Sequence, residues 1–104
     1  MRMWMVDPKK LCRKHLLGEH LELHMIVGSI KRGKSLTGFL NGGLVDITSI
    51  MARHSALVKE MKVRGYNHKS ELYYDDVLGL NGCIDIQENA KELVRRCEHC
   101  RELK

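Results

Sequence analysis

Punctuation constrains this chain more than any other feature. It holds a single proline, Pro8, and most of its nine glycines gather between long unbroken stretches. Proline and clustered glycine interrupt regular backbone, so the stretches they spare set the element lengths. Three such stretches remain, at about 8–31, 46–65 and 85–102, each longer than an ordinary strand. Aromatic residues, which favour strands, make up only 5% of the chain. The expected fold class is all-α: a compact single-domain three-helix fold with long loops over residues 1–104. A chain this short supports one modest core, which excludes a large cofactor fold with a separate substrate domain.

Periodicity assigns a buried face to each stretch. In the first, Leu16, Leu23, Val27 and Ile30 share one helical face, with Asp7 as the cap before Pro8. His15, Gly18, Glu22 and Ser29 lie on another face, with His15 and Glu22 nearly in line. Residues 33–43 carry four glycines and read as a loop. The second helix starts near Asp46 or Thr48 and ends at Gly65. Its apolar face runs through Ile47, Ile50, Met51, His54, Leu57, Val58 and Met61, leaving Arg53, Lys59, Lys62 and Arg64 outside. Residues 66–82 read as mostly irregular, with turns at Asp75-Asp76 and over 78–82. In the third helix Ile86, Ala90, Leu93, Cys97 and Cys100 mark the buried stripe.

The net charge of +5 suits a polyanionic partner. No stretch is long and apolar enough to span a bilayer, and residues 1–10 lack an apolar signal core. The expected location is therefore the cytoplasm rather than outside the cell. There Cys12, Cys83, Cys97 and Cys100 should be reduced unless they hold metal.

Four constellations could carry chemistry. The first is the α-amine of Met1, followed by Arg2 and Trp4. An α-amine titrates at roughly 7.7–8, so a useful fraction is neutral and nucleophilic near neutral pH, where a lysine would not be. Arg2 beside it could lower that value and hold a phosphate. The second is Glu22, mid-helix near Gly18, able to act as acid or base. The third is a basic set: Lys31, Arg32 and Lys34 after the first helix, Lys62 and Arg64 at the end of the second, and Lys91, Arg95 and Arg96 on the third. Those at helix ends also complement the helix dipole. The fourth is metal, with His20 and His24 four apart and Cys97-x-x-Cys100 forming half of a zinc pattern. The cysteines already belong to a buried stripe, so the expectation is no metal and no cofactor.

Together these residues resemble the pyrimidine-dimer DNA glycosylase/AP lyase family. The likeness is densest over 14–23, where a His-Leu, an acidic residue and a Glu-Leu recur at the family spacing. It continues through 26–32 and reappears at 62–67 as a basic-Gly-aromatic-Asn turn. The opening Met-Arg-x-Trp and the x-Pro-Lys-x-Leu stretch that follows also match. The resemblance implies an N-terminal α-amine nucleophile, here Met1, since Arg2 is too bulky for methionine removal. It implies Glu22 as the essential carboxylate and Arg2 and His15 as DNA contacts. Lys31 and Arg32 follow the family's first-helix pair, and Lys91 and Arg95 its third-helix phosphate pair. The implied activity is glycosylase and AP lyase action through an imine, without cofactor. The implied partner is double-stranded DNA with a damaged base or an abasic site, bound by a monomer associated with the nucleoid.

The chain departs from the phage members in three ways. Leu21 and Met25 stand where they carry arginines directed at damaged DNA. The central loop is shorter, and their aromatic-rich C-terminal tail is missing. A UV cyclobutane dimer is the family's substrate, with another damaged or modified base as the alternative. Two rival readings use the same residues: a non-catalytic helical DNA-binding module, and a small zinc protein built on His20, His24, Cys97 and Cys100.

Overall fold

The computed structural model describes residues 2–68, 71–72 and 84–103. Among them every regular element is helical: α1 (Arg13–Lys31), α2 (Thr37–Asn41), α3 (Ile50–Val63), α4 (Ile86–Arg96) and α5 (Glu98–Glu102). Two 3₁₀ turns, Pro8–Lys10 and Ile47–Ser49, precede α1 and α3. The all-α class and the three longer helices match the sequence reading. The turns expected at Asp75-Asp76 and over 78–82, and Cys83, lie outside the described residues.

Local chemistry explains where elements start and stop. Asp7, Asp46 and Asp85 each accept a backbone N–H two or three residues on, from Lys9, Thr48 and Glu88 at 3.0, 3.1 and 3.0 Å. Three helices end on a glycine with positive φ: Gly33 at 71°, Gly43 at 70° and Gly65 at 82°. At Gly65 the N–H bonds to the Lys62 carbonyl at 3.0 Å, and the next N–H, of Tyr66, to Met61 at 2.8 Å. This double closure satisfies the last carbonyls of α3 and needs the left-handed backbone that glycine adopts without strain.

Boundaries differ from expectation in three places. The Pro8 turn does not run into α1: Leu11 swings to an extended conformation (φ −90°, ψ 133°) and buries its side chain completely. The glycine-rich stretch holds a short helix, α2, anchored by buried Leu36 and half-buried Phe39 and Leu40. The third helix breaks at Cys97 (φ −120°, ψ 111°), and α5 starts afresh from it.

The core lies between α1 and α3. Leu16, Leu23, Ile26 and Val27 face Ile50, Leu57 and Met61 in one buried cluster. Ile30 is half-buried beside it. Arg53, expected outside the apolar face, is buried and makes a bidentate ion pair with buried Glu19 at 2.6 and 2.9 Å. A pair removed from water in this way holds only if its geometry is good, and it links α1 to α3. Ile86, expected on the α4 stripe, is exposed, whereas Asn89 and Leu93 are buried. Among the described residues no helix is long and apolar enough to cross a membrane.

Candidate active site and basic surface

Residues 2–6 run as an irregular segment held between the Leu44 backbone and Asn89 of α4. Met3 is fully buried, Trp4 and Val6 nearly so. The Met3 N–H bonds to the Leu44 carbonyl at 2.7 Å. Met5 takes a left-handed conformation, φ 58°, an unfavourable region for a methionine that the burial on either side enforces.

Asn89 of α4 holds this segment. Its Nδ2 donates to the carbonyls of Met3 and Trp4 at 3.2 and 3.0 Å. Its Oδ1 accepts from Arg2 Nη2 at 2.7 Å. The Arg2 guanidinium lies 4.0 Å over the Trp4 ring, and Trp4 meets the His15 ring edge-on at 5.7 Å. Desolvation, then the charge of Arg96, lowers the Arg2 pKa, with Glu92 acting in the opposite direction. Met1 lies outside the described residues.

Glu22 projects from the middle of α1 and is half-buried. Its Oε2 is withdrawn from solvent without a hydrogen-bond partner, as are Arg2 Nε and His24 Nε2. A buried polar atom without a partner costs about 1–3 kcal/mol, so such atoms mark places where a ligand can complete the bonding. Four residues along α1 from Glu22, Gly18 has open space where a side chain would sit. The carboxylate and the arginine read from sequence thus each carry one buried polar atom without a partner.

The basic residues divide by their partners. Lys31, Arg32 and Lys34 are exposed and have no carboxylate partner among the described residues. Lys91 pairs with Glu88 at 3.4 Å, and Arg95 and Arg96 share Glu92, holding its carboxyl down at about 2. Lys91 and Arg95 line a cleft of about 350 Å³ with Val6, Ala90, Leu93 and Val94. Arg64 turns inward. It bonds Glu60 at 3.0 Å and the carbonyls of Pro8 and Leu11 at 3.0 and 2.7 Å, tying the end of α3 to the turn before α1.

Two further clusters were not read from sequence. Cys97 and Cys100 meet Cys12 and His15, not His20 and His24 as the zinc reading required. His20 meets His54 and His68 instead, with Nε2 separations of 3.1 Å to each. Burial, then the neighbouring His54, His24 and His68, pushes His20 down to about 4, so it is uncharged at neutral pH. Asn89 escaped the sequence reading because a single asparagine on an amphipathic helix carries no pattern. The Cys-x-x-His at 12–15 was the signal that would have matched Cys97-x-x-Cys100.

No curated protein and no solved structure matches the chain. The model of one family, described as pyrimidine dimer DNA glycosylase, matches residues 1–74 of the 104. That span contains Arg2, His15, Glu22, Lys31, Arg32 and Arg64, while α4 and α5 follow it. The match covers well over half of the sequence and implies a DNA glycosylase that binds damaged DNA, and on that ground the chain belongs to the pyrimidine dimer DNA glycosylase family.

Proposed function

We propose that the protein excises a damaged pyrimidine, with the UV cyclobutane dimer as its substrate, and then nicks the strand as an AP lyase, using the Met1 α-amine as nucleophile and Glu22 as its acid–base partner. The exposed Lys31, Arg32 and Lys34, with Lys91 and Arg95, engage duplex phosphates, and Arg2 takes a phosphate at the site. His15 acts through the Trp4 ring that it packs against. A nucleotide is extruded to expose the sugar. The amine lone pair forms a bond to C1′ as the C1′–base bond breaks, its electron pair leaving on the base. Glu22 receives a proton from the nitrogen and returns one to the ring oxygen as the sugar opens to an imine. Loss of a proton from C2′ then expels the 3′ phosphate. The sequence needs no metal or cofactor, and one protein molecule suffices.

The unpartnered oxygen of Glu22 carries this reading. A carboxylate half-buried on the face that bears Gly18 has one buried oxygen without a hydrogen bond. It is suited to a group delivered with the substrate. The segment next to Met1 is also held rigidly, by Asn89 and by burial of Met3 and Trp4, which favours attack from a fixed position.

Borohydride trapping tests the mechanism. Duplexes bearing a dimer or an abasic site should give a covalent adduct whose mass maps to residue 1. Adding one residue ahead of Met1, or replacing Glu22 with Gln, should abolish it. An adduct mapping to a lysine, or strand cleavage undiminished by the added residue, overturns the assignment. DNA binding without any adduct from an intact terminus favours a non-catalytic binding module.

A further inference from the structure

We propose that Cys12, His15, Cys97 and Cys100 bind one structural Zn²⁺ that fastens the start of α1 to α5. The four donor atoms lie within 4.8 Å of one another. Cys12 Sγ is 3.3 Å from His15 Nδ1 and 3.7 Å from Cys97 Sγ, and Cys100 Sγ is 3.5 Å from His15 Nδ1. A tetrahedron with zinc–sulfur bonds of about 2.3 Å and zinc–nitrogen bonds of about 2.05 Å has edges of about 3.8 and 3.6 Å. These three separations fall close to those edges. The donors also come as two x-x-spaced pairs, Cys12/His15 and Cys97/Cys100, brought together from opposite ends of the chain.

Hydrogen bonding among thiols is a poor explanation for the cluster, because a thiol is a weak donor and acceptor. Backbone N–H groups point at the sulfurs instead: Cys12 N to Cys100 Sγ at 3.2 Å and Cys100 N to Cys97 Sγ at 3.5 Å. Such bonds orient thiolate ligands and stabilise their charge. The break in the third helix falls at Cys97, whose Sγ caps α5, so the chain departs from regular helix where the ligand pair begins. Three sulfurs and one imidazole nitrogen are a ligand set of tetrahedral structural zinc sites. Cys97 and Cys100 lie beyond the family-matched residues, so the site is built partly from sequence that the family description does not cover. Through His15 the metal would support the Trp4 ring and the Arg2 stacked on it.

Cobalt substitution of the full chain tests the site. Bound Co²⁺ should give intense visible d–d bands and a thiolate-to-cobalt charge-transfer band. Cys83→Ser should keep that band, and Cys97→Ser or Cys100→Ser should lose it. Independently of whether those variants fold, zinc should protect Cys12, Cys97 and Cys100 of the wild-type protein from alkylation, as mapped by mass, while leaving the reactivity of Cys83 unchanged. A wild-type protein refolded with zinc that retains no metal, shows no charge-transfer band, or has all four thiols equally reactive overturns the proposal.

A separate observation carries a second site: we infer that His20, His54 and His68 hold a divalent transition metal through three imidazoles. His20 Nε2 lies 3.1 Å from both His54 Nε2 and His68 Nε2, all three within 4.8 Å. A neutral imidazole Nε2 carries either one proton or one lone pair, so His20 cannot bond well to two neighbours at once. Two separations of 3.1 Å lie close to the edge of about 3.3 Å that three imidazole nitrogens span around a tetrahedral ion. Metal analysis of the purified, zinc-loaded protein should give two ions per chain, falling to one in His54→Gln with the cobalt–thiolate band retained. One ion per chain in both proteins overturns this second site and leaves the first standing.

Discussion

Replacing Asn89 with alanine removes three hydrogen bonds from one side chain: two to the carbonyls of Met3 and Trp4, at 3.2 and 3.0 Å, and one from Arg2, at 2.7 Å. Each contributes about 0.5–1.5 kcal/mol net, so the substitution should cost about 1.5–4.5 kcal/mol. For a domain of this size that is a fall in Tm of roughly 10–25 °C. The loss falls on the segment adjoining Met1, and a displacement of about 1 Å at a reacting group lowers rate by about a hundredfold. The assay is single-turnover borohydride trapping on an abasic duplex at saturating protein, well below the Tm of the variant, alongside equilibrium DNA binding. Asn89→Ala should lose trapping rate and, with Arg2 released, some affinity. Asn89→Asp keeps an acceptor for Arg2 but sets a carboxylate against two carbonyl oxygens. It should lose trapping rate while holding DNA affinity nearer to wild type. A folded Asn89→Ala that traps at the wild-type rate would refute the positioning role, however much stability it had lost.

Other outcomes follow from the same geometry. Glu22→Gln should abolish base excision while leaving Tm unchanged or slightly raised, because the oxygen it replaces is buried without a partner; thermal denaturation beside a glycosylase assay checks both halves. Arg53→Met strands the Glu19 carboxylate in the core and should cost about 3–5 kcal/mol, whereas Arg53→Met with Glu19→Leu should recover most of it in urea titrations. Lys31→Ala and Arg32→Ala should each weaken binding to damaged and undamaged duplex alike and reduce the salt dependence by about one counterion, measured by titration at several salt concentrations. Lys91→Ala should do less, since Glu88 already offsets that charge.

The sequence made the helices legible because their boundaries rest on local chemistry. Aspartate caps at 7, 46 and 85 and the glycine at 65 act over a few residues and leave a readable mark. The Glu19–Arg53 pair left none. Each residue alone resembles a solvated helix charge, and only the packing of α1 on α3 shows that both are buried. The break at Cys97 has no glycine or proline to announce it, and the side chain that caps α5 is one that seldom does so. The candidate acid and arginine were found from their spacing within α1 and the opening residues. Asn89, Cys12, His54 and His68 were missed for the opposite reason, since each gains its meaning from a neighbour 34–88 residues away.

The grip of α4 on the opening residues bears on how the protein can be divided. The stretch shared with the family ends at residue 74, yet the side chain that clamps Met3 and Trp4 is supplied from beyond it. The shared stretch is therefore not a self-sufficient module. Cut free or grafted onto another carrier, it would keep its carboxylate and its cations, but its leading end would be left untethered.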